Sequence, residues 1–229
     1  MTELAAFQEP TATQTRLLLA AEKLFALEGI DAVSTRRIAQ EAGQRNISAM
    51  HYHFGGKEQL IDALLALRMQ GINARREQLL DALAQNGAPR LHDFIETLVR
   101  PLIEQLAQPD SHFVGCLHQL YSRARGELVY ANLPLTLVSG IGRAINGMAP
   151  LLAHLPAELI GARMLLFASQ MIHSAADWYY QRERGATLAP IDTLVSTLVD
   201  FIAGGLLAPV SEPVAAQNET RAQKRASTE

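Results

Sequence analysis

The chain has 229 residues, of which 48% are hydrophobic and 19% charged, and its formal net charge is −3. This composition supplies a sizeable apolar core and excludes a wholly disordered chain. It also excludes a protein that coats nucleic acid through strong overall positive charge, so any contact with DNA must use cations placed locally.

The N-terminal residues and the single cysteine indicate the cellular compartment and limit the possible cysteine chemistry. The first residues lack the basic and apolar regions of a secretory signal, and polar residues interrupt the apolar stretches before they reach bilayer length. Cys116 is alone, which excludes an intramolecular disulfide and a cysteine-based zinc cluster. We expect it to be a buried apolar side chain rather than a redox sensor. The sequence therefore predicts a cytoplasmic protein without membrane spans.

Helical periodicity punctuated by glycine and proline runs along the chain, and strand patterns are almost absent. The sequence predicts an all-α fold of about nine helices. The first helix follows the threonines at positions 11 and 13 and ends at Gly29. Its apolar stripe is formed by Leu17, Ala21, Leu24 and Leu27.

The next two predicted helices are short, and those that follow are long. The second begins after Ser34 or Thr35, either of which can cap it, and ends at Gly43. The third spans Ser48 to Phe54. The longer helices are predicted over 57–85, 91–107 with a kink at Pro101, 110–124 capped by Asp110, 134–155 with a bend at Pro150, 156–184 and 190–207.

The change from short to long helices near Lys57 predicts two domains. A small domain covers residues 10–56 and a larger helical domain covers 57–208, with the fourth helix linking them. From Pro209 the chain is polar and has no periodicity, so we expect residues 209–229 to form a disordered tail.

Residues 34–57 have the plan of a helix-turn-helix, because a turn that starts with glycine separates two short helices. Four Lys or Arg residues lie in this segment against one acid, Glu41. Thr35, Arg36 and Arg37 at the start of the first helix would place cations and amides near phosphate. Short polar side chains and imidazoles on the second helix can approach base edges in the major groove.

The same segment resembles the DNA-binding domain of the TetR family of bacterial repressors. The resemblance covers roughly residues 13–65. The matching residues are Ala20-Ala21-Glu22-Lys23-Leu24-Phe25, Glu28-Gly29, Thr35-Arg36-Arg37-Ile38-Ala39, Glu41-Ala42-Gly43 and Tyr52-His53-Phe54-Gly55-Gly56-Lys57-Glu58-Gln59-Leu60.

The resemblance implies a role for individual residues. Thr35 and Arg36 would contact phosphate or a base edge, and His53 and Lys57 would contact the DNA backbone. The reading face of the third helix would include Ser48, Ala49, His51 and Tyr52, and the core of the small domain would include Phe25, Ile38, Ala39 and Phe54.

One departure from the family pattern lies in the turn, which is one residue longer than the commonest spacing between Gly43 and Lys57. Arg45 and Asn46 are therefore further candidates for the DNA interface, and the register at the start of the third helix is left open by one residue. Structural packing and DNA contact remain equal alternatives for Tyr52. A metal site at His51 and His53 is disfavoured, because residues two apart on a helix point in nearly opposite directions.

The last two helices are apolar on more than one face. Such a pair needs a second apolar partner, and self-association into a four-helix interface supplies it. The apolar positions are Leu165, Ala168, Ile172, Ala175 and Tyr179, with Leu166, Ser169, His173 and Ala176 beside them, and then Ile191, Leu194, Leu198 and Phe201 or Ile202. The family resemblance also implies a homodimer at this place.

The middle helices are expected to enclose a cavity for a small apolar or amphipathic molecule, since methionine and aromatic side chains suit such ligands. Ordinary core packing is the alternative for every one of these residues. His118, Arg123 and His173 are candidate polar anchors. The candidate lining residues are Met69, Phe94, Leu98, Leu120, Tyr121, Met148, Met164, Phe167, Met171 and Trp178.

These patterns together favour a ligand-responsive DNA-binding regulator that is released from an inverted-repeat operator by a small-molecule inducer. The alternatives are an all-helical enzyme and a helical interaction module without specific DNA binding. The sequence contains no nucleophile-base ordering, paired carboxylate motif, phosphate-binding glycine loop or metal-ligand spacing. We therefore expect no catalytic residues, no cofactor and no metal.

Overall fold

The computed structural model describes residues 10–44, 48–85, 87–123 and 133–211. These residues contain helices and no strand, which confirms the all-α prediction. Short 3-10 turns cover Glu104–Ala107, Leu135–Leu137 and Ala149–Leu152. The α-helices are α1 (Ala12–Glu28), α2 (Thr35–Glu41), α3 (Ser48–Phe54), α4 (Lys57–Gln85), α5 (Leu91–Ile103), α6 (Phe113–Arg123), α7 (Ser139–Met148), α8 (Ala157–Glu183) and α9 (Ile191–Leu207).

Local capping signals set the ends of the first two helices. The Thr11 hydroxyl accepts a hydrogen bond from the backbone N–H of Gln14, whose side chain accepts one from the backbone N–H of Thr11. Helix α1 ends at Gly29, which has a φ of 85°. Of the two candidate caps of α2, Ser34 is the one used, because its hydroxyl accepts from the N–H of Arg37.

One member of the predicted stripe of α1 does not face the core. Leu27 is 49% exposed, whereas Leu17, Leu18 and Phe25 are buried. The buried side of α1 is centred between Leu17 and Leu18, and each residue rotates about 100° around the helix axis, so Leu27 falls outside that side.

Three of the longer predicted helices differ from the prediction at their ends. After Pro101 the α-helical hydrogen bonding of α5 stops at Ile103 and a 3-10 turn completes the segment. Helix α6 begins at Phe113 rather than after Asp110, since the hydroxyl of Ser111 accepts from the N–H of Phe113. The single helix predicted over 134–155 is divided into two 3-10 turns with α7 between them, and Pro150 lies in the second turn.

The N-terminal helices α1–α3 pack on the larger set of helices, α4–α9, mainly through α1. Helix α1 contacts α6 and α4 as well as α2, and α3 contacts the start of α4. Within the larger set, α5 lies between α4, α7 and α9, and α8 packs on α6 and α9. None of the described helices combines the length and the apolarity that crossing a membrane requires. The residues at 209–211 are described and those predicted as the rest of the tail lie outside the described residues.

Candidate DNA interface

Helices α2 and α3 are held against the core by a few buried apolar residues. Ile38 and Ala39 bury one side of α2, and Met50 does the same for α3. Phe54, at the end of α3, is half-buried against the same core. Between the two helices, Gly43 has a φ of 69°, a left-handed conformation that favours glycine. This arrangement leaves the opposite side of each helix for solvent or DNA.

The outward side of α3 presents His51 and Tyr52. Both side chains are exposed, and Tyr52 is 86% exposed, with its ring edge-on to that of His53 at 5.1 Å between centroids. This exposure favours the contact interpretation of Tyr52 over structural packing. Ser48 and Ala49 belong to α3 one turn earlier, while Arg45 and Asn46 lie outside the described residues.

The cations of this segment do not all face the same way. Arg37 donates to Glu41 at 3.1 Å and to Glu28 on α1 at 3.3 Å, and Lys23 donates to Glu41 at 2.7 Å. Hydrogen bonds from Lys23 and then from Arg37 lower the pKa of the Glu41 carboxyl. Arg37 therefore braces α2 against α1.

Arg36 and Thr35 occupy the exposed beginning of α2. The Arg36 side chain is exposed and makes no ion pair with any residue that the structure describes, and Thr35 beside it is half-buried. A guanidinium in this position is available to a phosphate. Among the described cations of residues 34–57, Arg36 is the one whose placement best fits the predicted contact with DNA phosphate.

Lys57 has an intramolecular role that the family resemblance did not predict. Its ammonium donates to the carbonyl oxygens of Ile30 and of Val33, the latter at 2.7 Å. It also lies 5.7 Å from the centre of the Phe25 ring. These contacts fix the loop between α1 and α2 on the first turn of α4, and so they position Ser34 and the start of α2.

The described residues show no cluster of three histidine, cysteine, aspartate or glutamate side chains placed to hold a metal ion. His51 and His53, the pair considered from the sequence, point to different sides of α3: the first is exposed and the second half-buried.

The residues predicted to line a ligand cavity are parts of one continuous apolar core. Within it, Phe94 lies against Gly147 on α7, and Tyr121 contacts His173 edge-on, with 5.9 Å between ring centroids. Phe167 instead lines a groove between α8 and α9. The buried members are Met69, Leu98, Leu120, Met148 and Phe167, and the half-buried members are Phe94, Tyr121, Met164, Met171 and Trp178.

The candidate polar anchors lie in different surroundings. The rings of His118 and His173 are 5.0 Å apart between α6 and α8, and burial lowers the pKa of His118. Arg123, at the end of α6, instead pairs with Glu58 at 3.0 Å and with Asp31 at 3.4 Å. Arg123 therefore joins the end of α6 to the loop after α1 and to the start of α4.

The outer side of α8 and α9 carries exposed apolar side chains. Leu165, Leu166 and Phe201 are each at least 60% exposed, and Ile202 is the buried neighbour that faces the core. A groove of about 340 Å³ runs between the two helices. It is lined by Arg163, Leu166, Phe167, Ser169, Gln170, Phe201, Ile202, Gly205 and Leu206.

Comparison with known proteins agrees with this architecture. Residues 17–64 match the family described as "Bacterial regulatory proteins, tetR family". No curated protein matches the sequence significantly. Among solved structures, the fatty acid degradation regulator FadR from Bacillus halodurans aligns with 18% identity over 87% of this chain and 99% of its own, with a TM-score of 0.52.

Two further solved structures share the fold at similar identity. The ketosteroid transcriptional regulator KstR2 of Mycobacterium tuberculosis is 17% identical over 86% of this chain and 96% of its own, with a TM-score of 0.57. A TetR-family transcriptional regulator from Streptomyces coelicolor is 19% identical over 86% and 90%, with a TM-score of 0.52. Residues 17–64 therefore match the tetR family of bacterial regulatory proteins, and the chain as a whole has the fold of these solved transcriptional regulators.

Proposed function

We propose that this protein is a homodimeric regulator that binds an inverted-repeat operator through α2 and α3 and leaves it when a small molecule binds among the larger helices. Residues 10–56 would be the DNA-binding domain and 57–208 the ligand-binding and dimerisation domain. The observation that carries the proposal is the division of α3 into a buried side at Met50 and an exposed side at His51 and Tyr52.

An exposed aromatic ring and an imidazole on one helix face are suited to a base-pair surface. Imidazole and hydroxyl groups can exchange hydrogen bonds with base edges, and an aromatic ring can contact a thymine methyl group. Arg36 would supply a phosphate contact that sets the register, and Lys57 would act indirectly by holding the start of α2. The proposed interface consists of Thr35, Arg36, Arg37, Arg45, Asn46, Ser48, Ala49, His51, Tyr52 and His53.

The exposed apolar side of α8 and α9 supports dimerisation through these helices. Water-exposed side chains as large as Phe201 and Leu166 are stabilised when a second apolar surface covers them. A Cβ added at Gly204 or Gly205 would meet no atom within 4 Å, so the backbone of α9 is open to close approach. A two-fold axis at this face would present two equivalent α3 helices to successive major grooves, about 34 Å apart.

The proposed inducer is an apolar or amphipathic molecule bound among the methionine and aromatic side chains between α4, α5 and α7. Because α4 begins beside α3 and contacts α7, a ligand that changes the packing of α7 on α4 would also tilt the recognition helices. A coupling of about 1–3 kcal/mol would weaken operator binding roughly 5–150-fold.

The test of DNA binding is fluorescence anisotropy with duplexes from the protein's own upstream region and with a scrambled duplex of equal length. We expect tight binding to one upstream duplex, and loss of that preference in a His51→Ala/Tyr52→Ala variant that keeps its helical content. Equal affinity of the wild-type protein for all duplexes would contradict specific recognition.

The test of ligand response begins with a thermal-shift screen for stabilising small molecules. Calorimetry then measures the affinity of a hit for the protein with and without operator DNA. The affinity is expected to be lower in the presence of operator by the same factor by which the compound weakens DNA binding. Equal affinities in the two titrations would rule out coupling for that compound.

A further inference from the structure

Glu22 is a buried acid at the junction of α1, α4 and the segment that precedes α6. Its side chain is 1% exposed. Oε2 accepts from Nε of Arg68 at 2.6 Å, and Oε1 accepts from Nη2 of Arg68 at 2.8 Å. Oε1 also accepts from the backbone N–H of His112 at 3.0 Å. One carboxylate of the N-terminal domain thus contacts two separate parts of the larger set of helices.

The contacts continue from His112 to the long helix α8. Nδ1 of His112 lies 2.7 Å from the hydroxyl of Tyr179, whose side chain is fully buried. Burial raises the pKa of Tyr179 above its ordinary value. Arg182 covers the same ring at 5.2 Å and donates to the carbonyl oxygens of Leu106 and Ser111. We call Glu22, Arg68, His112 and Tyr179 the Glu22 network.

The Glu22 network contains a buried ion pair, unlike the pairs that Arg123 makes at the same junction. The ion pairs of Arg123 with Glu58 and Asp31 are more exposed, so solvent screens them. A buried ion pair is costly to break, because the remaining charge is left without a partner away from water. Such pairs contribute little net stability, and their best-attested use is to fix one arrangement of packed elements against others.

We propose that Glu22 is a positioning residue for DNA recognition, which locks α1 to α4 and, through His112 and Tyr179, to α8. This inference rests on the proposed function. Helix α4 joins the N-terminal helices to the rest of the chain covalently, and the Glu22 network adds a buried, non-covalent connection to those that Arg123 and Lys57 make. If α8 and α9 form the dimer interface, the network fixes each α3 relative to the two-fold axis. An inducer that tilts α4 must then move α1 with it or break the pair between Glu22 and Arg68.

Glu22→Gln is the variant that tests the connection, because the amide keeps the shape and can still accept from the N–H of His112 but removes the charge. Glu96→Gln is the control: it also removes a carboxylate charge, but the Glu96 side chain is 42% exposed in an ion pair with Arg100 on α5, away from the proposed DNA interface. We expect Glu22→Gln to lower affinity for the operator about tenfold or more, within the range of interdomain coupling. Affinity for a random duplex at the same salt concentration should change little, since Glu22 is buried and contacts no DNA.

A DNA-independent measurement separates failure of this inference from failure of the proposed function. Hydrogen exchange of the DNA-free protein should become faster in α1 and at the start of α6 in Glu22→Gln, while exchange in α9 stays unchanged. Suppose that exchange is faster in Glu22→Gln but that the wild-type protein shows no operator preference. This result would contradict the proposed function and would also overturn the role of Glu22 in recognition. If the wild-type protein prefers the operator, and Glu22→Gln keeps both that preference and the wild-type exchange rates, the inference alone is overturned.

Two further variants keep the test decisive if Glu22→Gln folds poorly. Tyr179→Phe keeps the buried ring and removes the hydroxyl, so we expect a smaller loss of operator preference in the same direction. Arg68→Gln leaves the Glu22 charge buried without its partner, and the double variant Glu22→Gln/Arg68→Gln should recover part of the operator affinity that Arg68→Gln loses. Equal losses on operator and random DNA in Tyr179→Phe, or additive losses in the double variant, would overturn the proposal.

Discussion

Gly115 on α6 faces the ring of Tyr179 on α8 so closely that a Cβ atom on Gly115 would lie 2.4 Å from Cε1 of the ring. The ring is fully buried, and its hydroxyl is hydrogen-bonded to His112. It therefore has little room to move away from an added methyl group. The distance between α6 and α8, and with it the geometry of the Glu22 network, depends on the absence of a side chain at position 115.

We expect Gly115→Ala to lower the free energy of unfolding by about 1–3 kcal/mol, the range for overpacking a well-packed core. This loss should appear although alanine favours a helix over glycine by about 1 kcal/mol. Gly142→Ala on α7 is the control, because a Cβ there meets no atom within 4 Å and the substitution should stabilise the protein. Urea unfolding of both variants measures the two changes. Similar changes in the two variants would contradict the packing argument.

The elements that the sequence predicts well are those set by local signals. The bounds of α3 and α4 are as predicted, because Gly55 and Gly56 separate the two helices and Gly87 follows the second. The predicted exit of α1 at Gly29 is confirmed for the same reason. Where several prolines and glycines fall close together, as around α7, the pattern predicted one bent helix and the structure contains three short pieces.

The sequence does not reveal which way a long side chain turns or which residues meet across the fold. Lys57 is the first residue of a long helix, and the direction of its side chain toward the carbonyls of Ile30 and Val33 depends on the tertiary packing of α1 and α4. Glu22 did leave a signal: it lies between Leu18 and Phe25 on the buried side of α1. A charge at such a position indicates a buried partner, though not its identity.

The different placements of Arg36 and Lys57 predict different effects on the salt dependence of DNA binding. If Arg36 meets a phosphate in both subunits of a dimer, Arg36→Ala should flatten the slope of log affinity against log salt by about 1.8. Lys57→Met should leave the slope unchanged, because the ammonium is used by carbonyl oxygens of the protein. The same variant should lower the free energy of unfolding by about 1–3 kcal/mol, since it leaves those carbonyls without a charged donor.

Anisotropy titrations at several salt concentrations, together with urea unfolding, check both parts of this prediction. Arg16→Ala, which replaces an exposed cation of α1, is the control for a general loss of positive charge. A slope that flattens equally in Arg36→Ala and Lys57→Met would show that Lys57 turns outward to a phosphate when DNA binds.

The half-buried imidazoles of His112 and His118 predict a loss of stability on mild acidification. Burial lowers the pKa of His112 and of His118 below the ordinary value of 6.5. As the pH falls through 6.5 toward the folded-state pKa values, the unfolded chain binds more protons than the folded one, so the free energy of unfolding decreases. Well above 6.5 both states are deprotonated and the two groups contribute no pH dependence.

Urea unfolding between neutral pH and about pH 5.5 measures this dependence. The double variant His112→Asn/His118→Gln should have a smaller pH dependence than the wild type over this interval, whatever its stability at neutral pH. His154→Gln, which removes an exposed imidazole, is the matched control. A double variant that loses stability with falling pH as steeply as the wild type would place the titrating groups elsewhere.

The exposed side of α8 and α9 predicts where dimerisation can be disrupted. Leu166 and Phe201 line the same groove and are 69% and 66% exposed, so Leu166→Glu/Phe201→Glu places charge on that face without disturbing the core. Burying two carboxylates per subunit would cost more than the apolar contacts supply, and we expect a folded monomer in sedimentation equilibrium. Leu135→Glu is the control, because Leu135 is exposed to a greater degree and lies on the turn before α7. The monomer should retain weak binding to random DNA and lose the operator preference, since one α3 alone reads one half-site. If the double variant remains dimeric and keeps its circular dichroism spectrum, the dimer interface lies on a face other than that of α8 and α9. The proposed two-fold placement of the α3 helices on an inverted-repeat operator would then lose its basis.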